Sequence, residues 1–145
     1  MCGRRKFGLN EIFDKDNELI SDYLGLLYLH KKDYPNSMKM LSNPENHGMG
    51  DAFNSWFESY DKRSSQEETK PNKRRILMDS VNPKYVLRNY LAEVAIRKAE
   101  DLRDYDEVGI LFDLLRSPFD EHKGFESYTN KAPEWAKNLE VSCSS

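Results

Sequence analysis

Cys143 is the residue whose type and position in this 145-residue chain most directly suggest chemistry. It lies third from the end, in an uncapped Val-Ser-Cys-Ser-Ser segment that we predict to be an exposed tail. The thiolate is the reactive form of cysteine, with a reference pKa of about 8.5, and a tail thiol can form a reversible disulfide with another thiol. The residue pattern alone favours an incidental terminal cysteine, because the one other cysteine, Cys2, is at the opposite end.

The histidines and carboxylates predict no metal or acid–base site. His30, His47 and His122 lie far apart in sequence without a His or Cys at ligand spacing, so each is interpreted as solvent-exposed. Two carboxylates in one cleft can divide acid and base roles, but a charge run with interleaved arginines is usually a solvated helix face. We favour the solvated face for a run of eight carboxylates. These are Glu100, Asp101, Asp104, Asp106, Glu107, Asp113, Asp120 and Glu121.

Nucleotide-binding signatures are absent from the sequence. Residues 48–50 read Gly-Met-Gly, but no third glycine follows and no strand precedes them, so they are interpreted as a loop. No Walker motif and no kinase-type H-R-D or D-F-G string occurs. Trp56 and Trp135 could stack on bases, but no basic groove accompanies them and core packing is predicted. The sequence thus predicts no catalytic, cofactor-binding or metal-ligating residue.

Composition and net charge indicate which kinds of domain and partner to expect. The chain is 38% hydrophobic and 32% charged, which suits one exposed helical domain or a region whose apolar face is covered by a larger protein. A net charge of −3 gives no reason to expect nucleic acid or an anionic membrane as partner. No apolar run approaches the ~20 residues of a membrane-spanning helix. No secretory signal is predicted, and two cysteines indicate a reducing compartment.

Hydrophobic periodicity predicts an all-α fold. The first half should hold helices over Asp16–Leu29 and Ser37–Leu41, then a third helix capped by Asp51. In the third helix, Phe53, Trp56, Phe57 and Tyr60 share one face. We divide the chain into a helical segment over residues 1–63, a polar linker over 64–73, and a region over 74–145.

The region over residues 74–145 is predicted to be a helical hairpin followed by the cysteine-containing tail. Asn82-Pro83 is interpreted as the start of its first helix, because Asn caps a helix and Pro fits the first helical position. Asp104 and Glu107 resemble a capping box that opens the second helix, and Ser117-Pro118 ends it. The helix faces over 56–60 and 108–115 are apolar enough that we expect a further lobe to cover them.

Several strings then resemble the selenoprotein O family. Residues 81–92 read V-N-P-K-Y-V-L-R-N-Y-L-A and closely resemble its N-P-K-Y-V-L-R-N-x-L-A string. Residues 115–119 are similar to its L-R-N-P-F/Y segment, with Ser117 in place of Asn, and 133–136 look like its P-x-W-A. Residues 139–145 look like the family terminus. The match is looser in the first half of the chain. Residues 4–9 resemble the family's R-x-K-L-G-L element, with Phe7 in place of Leu, and Phe53 and Trp56 fit its F-x-x-W helix.

This resemblance implies the helical C-terminal region of a protein-kinase-like fold, in which residues 1–63 continue the C-lobe. Members of the family are described as pseudokinases that use ATP and Mg²⁺ to transfer AMP to Ser, Thr or Tyr hydroxyls of other proteins. Their phosphate-binding, metal-binding and catalytic residues lie upstream of the matched region, so none is carried over. The expected function is therefore a part of a protein adenylyltransferase that is inactive alone. Its partners would be the missing N-terminal catalytic lobe and the family's protein substrates, and a stand-alone helical interaction module is the alternative.

The resemblance adds one site residue and a location. Cys143 matches the family's redox position, a cysteine or selenocysteine thought to pair with a cysteine nearer the active site, and Cys2 does not match that partner. The implied location is mitochondrial for a eukaryotic full-length relative and otherwise cytoplasmic. No targeting segment is visible in the chain itself.

The cysteines generate the first prediction. Nothing in the sequence preorganises a bond between Cys2 and Cys143, so both thiols should be free under mildly reducing conditions. Mild peroxide should give intermolecular dimers, seen on non-reducing gels and mapped by mass spectrometry. A single quantitative Cys2–Cys143 crosslink within the monomer would contradict this.

Overall fold

The computed structural model describes residues 2–43 and 49–136. These ranges contain α-helices and two short 3-10 helices and no strand, so the prediction of an all-helical chain is confirmed. None of the helices in the described part of the chain is long and apolar enough to cross a membrane. In chain order the α-helices are α1 Cys2–Lys6, α2 Asp16–Leu29, α3 Tyr34–Met40, α4 Asp51–Ser64, α5 Pro71–Val81, α6 Asn89–Asp101 and α7 Asp106–Arg116.

Internal contacts divide the chain into two compact units, residues 1–83 and 84–145. The first, unit 1, holds α1 to α5, and the second, unit 2, holds α6, α7 and the 3-10 helices Glu126–Thr129 and Glu134–Ala136. The sequence-based division, with its linker over 64–73, stays a prediction about domains.

The predicted bounds of α2 agree with the structure, and its end is a tight reversal. Lys31 has a φ of 52°, and the backbone N–H groups of Lys31 and Lys32 donate to the carbonyls of Tyr28 and Leu27. The next helix, α3, begins earlier than the predicted Ser37, because the Asp33 carboxylate accepts from the Asn36 N–H at 3.1 Å and caps it.

Two predicted helix starts are wrong. Asp51 is the first residue of α4 rather than its cap; the preceding residue is Gly50, with a φ of 107°. Asn82 ends α5 instead of starting a helix, since its side-chain N–H donates to the Lys6 carbonyl at 2.9 Å, and α6 begins only at Asn89. Helix α5, which the sequence analysis missed, has Pro71 at its first position.

The core of unit 1 is an aromatic cluster. The Tyr23 ring stacks on Trp56 with 4.2 Å between ring centroids, and Phe7 packs edge-on against both. Each polar ring group has a backbone partner: Trp56 Nε1 donates to the Leu19 carbonyl at 2.8 Å, and the Tyr60 hydroxyl donates to the Phe7 carbonyl at 2.7 Å. The cluster is therefore buried without losing hydrogen bonds.

Unit 2 is built on the pairing of α6 with α7. Ala95, Leu111 and Leu114 are buried, and Ser117 ends α7 as predicted. The capping box is wrong: the Asp104 carboxylate accepts from the Asp106 N–H at 3.0 Å, but Glu107 does not reach back. Glu107 accepts instead from Lys98 Nζ and from the Tyr128 hydroxyl.

Two glycines of unit 1 give a matched stability test. A Cβ on Gly8, which has a φ of +70°, would lie 2.6 Å from Met78 Sδ, whereas a Cβ on Gly3 in α1 would meet nothing within 4 Å. Gly8→Ala should lower the free energy of unfolding by about 2 kcal/mol, because it combines strain with overpacking. Gly3→Ala should leave it unchanged or raise it by a few tenths of a kcal/mol. Urea unfolding of both variants is the measurement, and equal midpoints would contradict the packing at Gly8.

Candidate functional site

The structure first locates the residues that the sequence singled out. Cys143 and His47 lie outside the described residues, so the redox role of Cys143 stays a prediction. His30 is exposed as predicted, with its ring 5.5 Å from that of Phe53. The prediction is wrong for His122, which is half-buried because its Nε2 lies 2.9 Å from the Ser117 carbonyl oxygen and its ring packs edge-on against Tyr85.

Most of the carboxylate run is solvent-exposed. Glu107 is the main exception: it lies 2.8 Å from the Tyr128 hydroxyl, and burial together with this bond raises the pKa of Tyr128 to about 12. Of the tryptophans, Trp56 is buried as predicted, but Trp135 is 57% exposed and only its edge meets Tyr90. Within residues 2–43 and 49–136, no three His, Cys, Asp or Glu side chains are placed to hold one metal ion.

The most concentrated electrostatic feature is a buried cluster around Asp16, the first residue of α2. Its carboxylate is 1% exposed. Arg63 of α4 donates to both oxygens, from Nε at 2.6 Å and from Nη2 at 3.0 Å, and Arg4 of α1 donates from Nη2 at 2.6 Å. A fourth bond comes from the Phe13 backbone N–H at 3.0 Å. We call these four residues the Asp16 cluster.

The Asp16 cluster is extended by the arginines' remaining donors. Arg63 also donates to the Glu67 carboxylate at 2.8 Å and to the Glu11 carbonyl at 2.9 Å. Its guanidinium lies over the Phe13 ring, 3.8 Å from the centroid, and Arg4 donates to the same Glu11 carbonyl. The cluster therefore joins α1, the 11–13 segment, α2 and α4.

The surroundings of Asp16 keep its carboxylate ionised and do not favour a role in proton transfer. Burial opposes ionisation of Asp16, but the hydrogen bonds from Arg63, Phe13 and Arg4 outweigh it and lower its pKa to about 2. The bond to Asp16 correspondingly raises the pKa of Arg63. The carboxylate accepts four hydrogen bonds, three at Oδ2 and one at Oδ1. Asp16 is thus a poor general base, because its carboxylate is held by four hydrogen bonds and its pKa is far below the pH at which general bases work best.

A surface pocket of about 530 Å³ opens beside the Asp16 cluster. Its volume is within the range of small-molecule sites. Because Asp16 and Arg63 already bind each other, any contact with a ligand in this pocket would be made by the other residues that line it, which we call its rim. The rim residues are Phe13, Asp14, Lys15, Glu18, Leu19, Asp22, Ser59 and Gln66.

Sequence reasoning missed the Asp16 cluster because its members are far apart. Asp16 was recognised only as the start of α2, and Arg63 lies 47 residues away. The one available signal was the basic element at residues 4–9, whose Arg4 is now explained by Asp16.

The strings that resemble the selenoprotein O family contact one another within each unit. In unit 1, Phe7 of the 4–9 element packs on Trp56 of the F-x-x-W element, with 6.2 Å between ring centroids. In unit 2, the backbone N–H groups of Lys84 and Tyr85 both donate to the Pro118 carbonyl, at 2.9 and 3.1 Å. In the described residues, these strings thus form internal joints of the fold.

Comparison with known proteins shows which proteins this chain is similar to. No family model matches the chain. It is 42% identical to the protein nucleotidyltransferase YdiU of Aliivibrio salmonicida (strain LFI1238), over 98% of this chain and 31% of the relative. It is 43% identical to that of Thiobacillus denitrificans (strain ATCC 25259 / T1), over 97% and 31%, and 38% identical to that of Ralstonia nicotianae (strain ATCC BAA-1114 / GMI1000), over 98% and 30%.

Each of these matches covers one region of a longer relative named protein nucleotidyltransferase. The chain belongs to the selenoprotein O family, as its strings indicated. It spans about 30% of the length of the curated relatives it matches, which fits the C-terminal region that the strings resemble.

The Asp16 cluster predicts a pH-dependent stability. The folded-state pKa of about 2 is below the ordinary value of 3.8, so the stabilisation is fully present above pH 4 and is lost as the pH falls toward 2. We expect the free energy of unfolding to fall by on the order of 2 kcal/mol across this window. Denaturant unfolding at pH 5, 4, 3 and 2 measures it.

Asp16→Asn is the test variant for this prediction, and Asp14→Asn is its matched control. Asp16→Asn leaves Arg4 and Arg63 without their counter-charge, so it should cost about 3–5 kcal/mol at pH 7 and flatten the decline between pH 4 and 2. Asp14→Asn changes an exposed carboxylate on the same pocket rim and should alter neither the stability at pH 7 nor the decline. An unaltered decline in Asp16→Asn would show that another group causes it.

Proposed function

We propose that this chain is the C-terminal helical region of a protein adenylyltransferase with a protein-kinase-like fold. In such a protein, a Ser, Thr or Tyr hydroxyl oxygen bonds to the α-phosphorus of ATP, and pyrophosphate leaves. The observation that carries the proposal is the identity of 38–43% to protein nucleotidyltransferases over 97–98% of this chain.

The proposal assigns nucleotide handling to the part of the protein that this chain does not span. Phosphoryl and nucleotidyl transfer depend on groups that position phosphates and Mg²⁺. Two observations support this assignment: no group of three His, Cys, Asp or Glu side chains in the described residues is placed to hold a metal ion, and the sequence has no recognisable phosphate-cradling loop. ATP and Mg²⁺ would be held by the N-terminal catalytic lobe, and this chain alone would be inactive.

The remaining assignments extend the same proposal. Cys143 would be the regulatory redox residue, pairing in the complete protein with a cysteine of the catalytic lobe. The partners would be that lobe and the protein acceptors of AMP. The location would be mitochondrial for a eukaryotic protein and otherwise cytoplasmic.

A stand-alone helical interaction module is the second candidate. The observation that favours it is the core of unit 1, in which Tyr23, Trp56 and Tyr60 are buried with their polar atoms bonded to backbone carbonyls. Such a core resembles that of an autonomous domain.

Transfer of labelled AMP tests the proposed function. The purified chain, incubated with α-labelled ATP, Mg²⁺ and a generic protein acceptor, should incorporate no label above a no-enzyme control. The intact Aliivibrio salmonicida relative should label the acceptor under the same conditions. Labelling by the chain alone would refute the division of labour, and an inert but folded intact relative would refute the assigned reaction.

A further inference from the structure

Helix α7 carries an apolar stripe on the side that does not pack within unit 2. Tyr105, which immediately precedes α7, and Val108 and Phe112 within it follow one another at helical spacing and are 63%, 44% and 61% exposed. We call these residues, with Gly109 between them, the α7 stripe. The other side of the helix presents Leu111 and Leu114, which are buried. One helix therefore has two apolar faces, and only one is covered.

Like Gly25 of α2, Gly109 is a glycine inside a helix with open surroundings. It lies inside α7 without a positive φ, so no turn requires glycine there. A methyl group at this position would meet no other atom within 4 Å outside its own stretch of helix, so no internal packing requires glycine either. Glycine weakens a helix relative to alanine, and its usual advantage is to allow close approach of another group to the backbone.

The surroundings of the α7 stripe are acidic. Residues 100–116 contain six acidic and two basic residues. Of these, Asp106 and Asp113 flank the stripe on α7 and are exposed. Complementary potentials steer and align surfaces that bind each other. The matching surface should therefore be an apolar groove with lysine or arginine at its rim.

We propose that the α7 stripe is the docking surface for the part of the nucleotidyltransferase that this chain does not span. The inference rests on the proposed function. In the relatives, the matched region is about 30% of one continuous chain, so a large body of protein is always tethered to it. The other face expected to need a partner, over residues 56–60, is already covered inside unit 1, whereas the α7 stripe is not.

The docking surface is tested by the change in melting temperature on Gly109→Ala, which should have opposite signs in the free chain and in a longer protein. In the free chain, Gly109→Ala should raise the melting temperature of the transition that unfolds α7 by about 2–4 °C, because alanine favours the helix and meets nothing. In a chimera in which this chain replaces the matching stretch of the Aliivibrio salmonicida protein, the same change should lower it, because the methyl group blocks the close approach. Phe112→Ser should be neutral in the free chain and lower the melting temperature of the chimera.

Two control variants define the outcomes. Leu114→Ala, at a buried position of α7, should lower the melting temperature in both proteins, and Ile76→Ser, at a position of α5 that is 69% exposed, should change neither. An equal rise for Gly109→Ala in both proteins, with no effect of Phe112→Ser in the chimera, would overturn the proposal. If the chimera is insoluble, the residue aligned with Phe112 is changed to Ser in the intact relative, whose unchanged melting temperature would equally overturn it.

The readouts separate this inference from the proposed function. AMP transfer by the wild-type chimera is measured apart from melting. A folded chimera that transfers no AMP, yet shows the sign reversal at Gly109, would refute the assigned reaction and leave the docking surface standing.

Discussion

The ionised, fully buried carboxylate of Asp16 is the constraint on which unit 1 depends. Taking a charge out of water is costly unless it is paired and hydrogen-bonded. Arg63 and Arg4 supply that pairing from helices that are distant in sequence, and the Phe13 N–H supplies the remaining bond. The carboxylate is therefore stable only where α1, α2 and α4 meet, and these helices enclose the aromatic core. Its depressed pKa reports a structural charge, since four hydrogen bonds hold the ionised form.

The same logic explains what the family-like strings do in the described residues. Lys84 and Tyr85 share the Pro118 carbonyl, and Phe7 packs on Trp56. Each joint links segments far apart in sequence. The joint at Pro118 pairs backbone groups, and a smaller side chain at Phe7 or Trp56 would leave a gap in the core of unit 1. Such strings identify a fold and, through it, a family, but they do not report where the reaction takes place.

How far the fold could be predicted depended on whether its determinants were local. The bounds of α2, the burial of Trp56 and the end of α7 at Ser117 follow from periodicity and helix-stop signals within a few residues. Asn82 was misread because its side chain bonds to Lys6, 76 residues away, which local rules for caps cannot anticipate. The Asp16 cluster was missed for the same reason, since its partners are on other helices.

Both units leave some large apolar side chains exposed, among them Tyr28 at 88% in unit 1 and Phe112 at 61% in unit 2. In unit 1, the helix face that looked unpartnered in sequence, over 56–60, packs among aromatic rings whose polar atoms are all bonded. In unit 2, α7 buries one apolar face and exposes another, with a glycine that nothing in the unit requires. On a solvated helix, alanine in place of Gly109 would strengthen the helix, and a polar residue in place of Phe112 would be better solvated. The docking proposed for the α7 stripe would cover this exposed face.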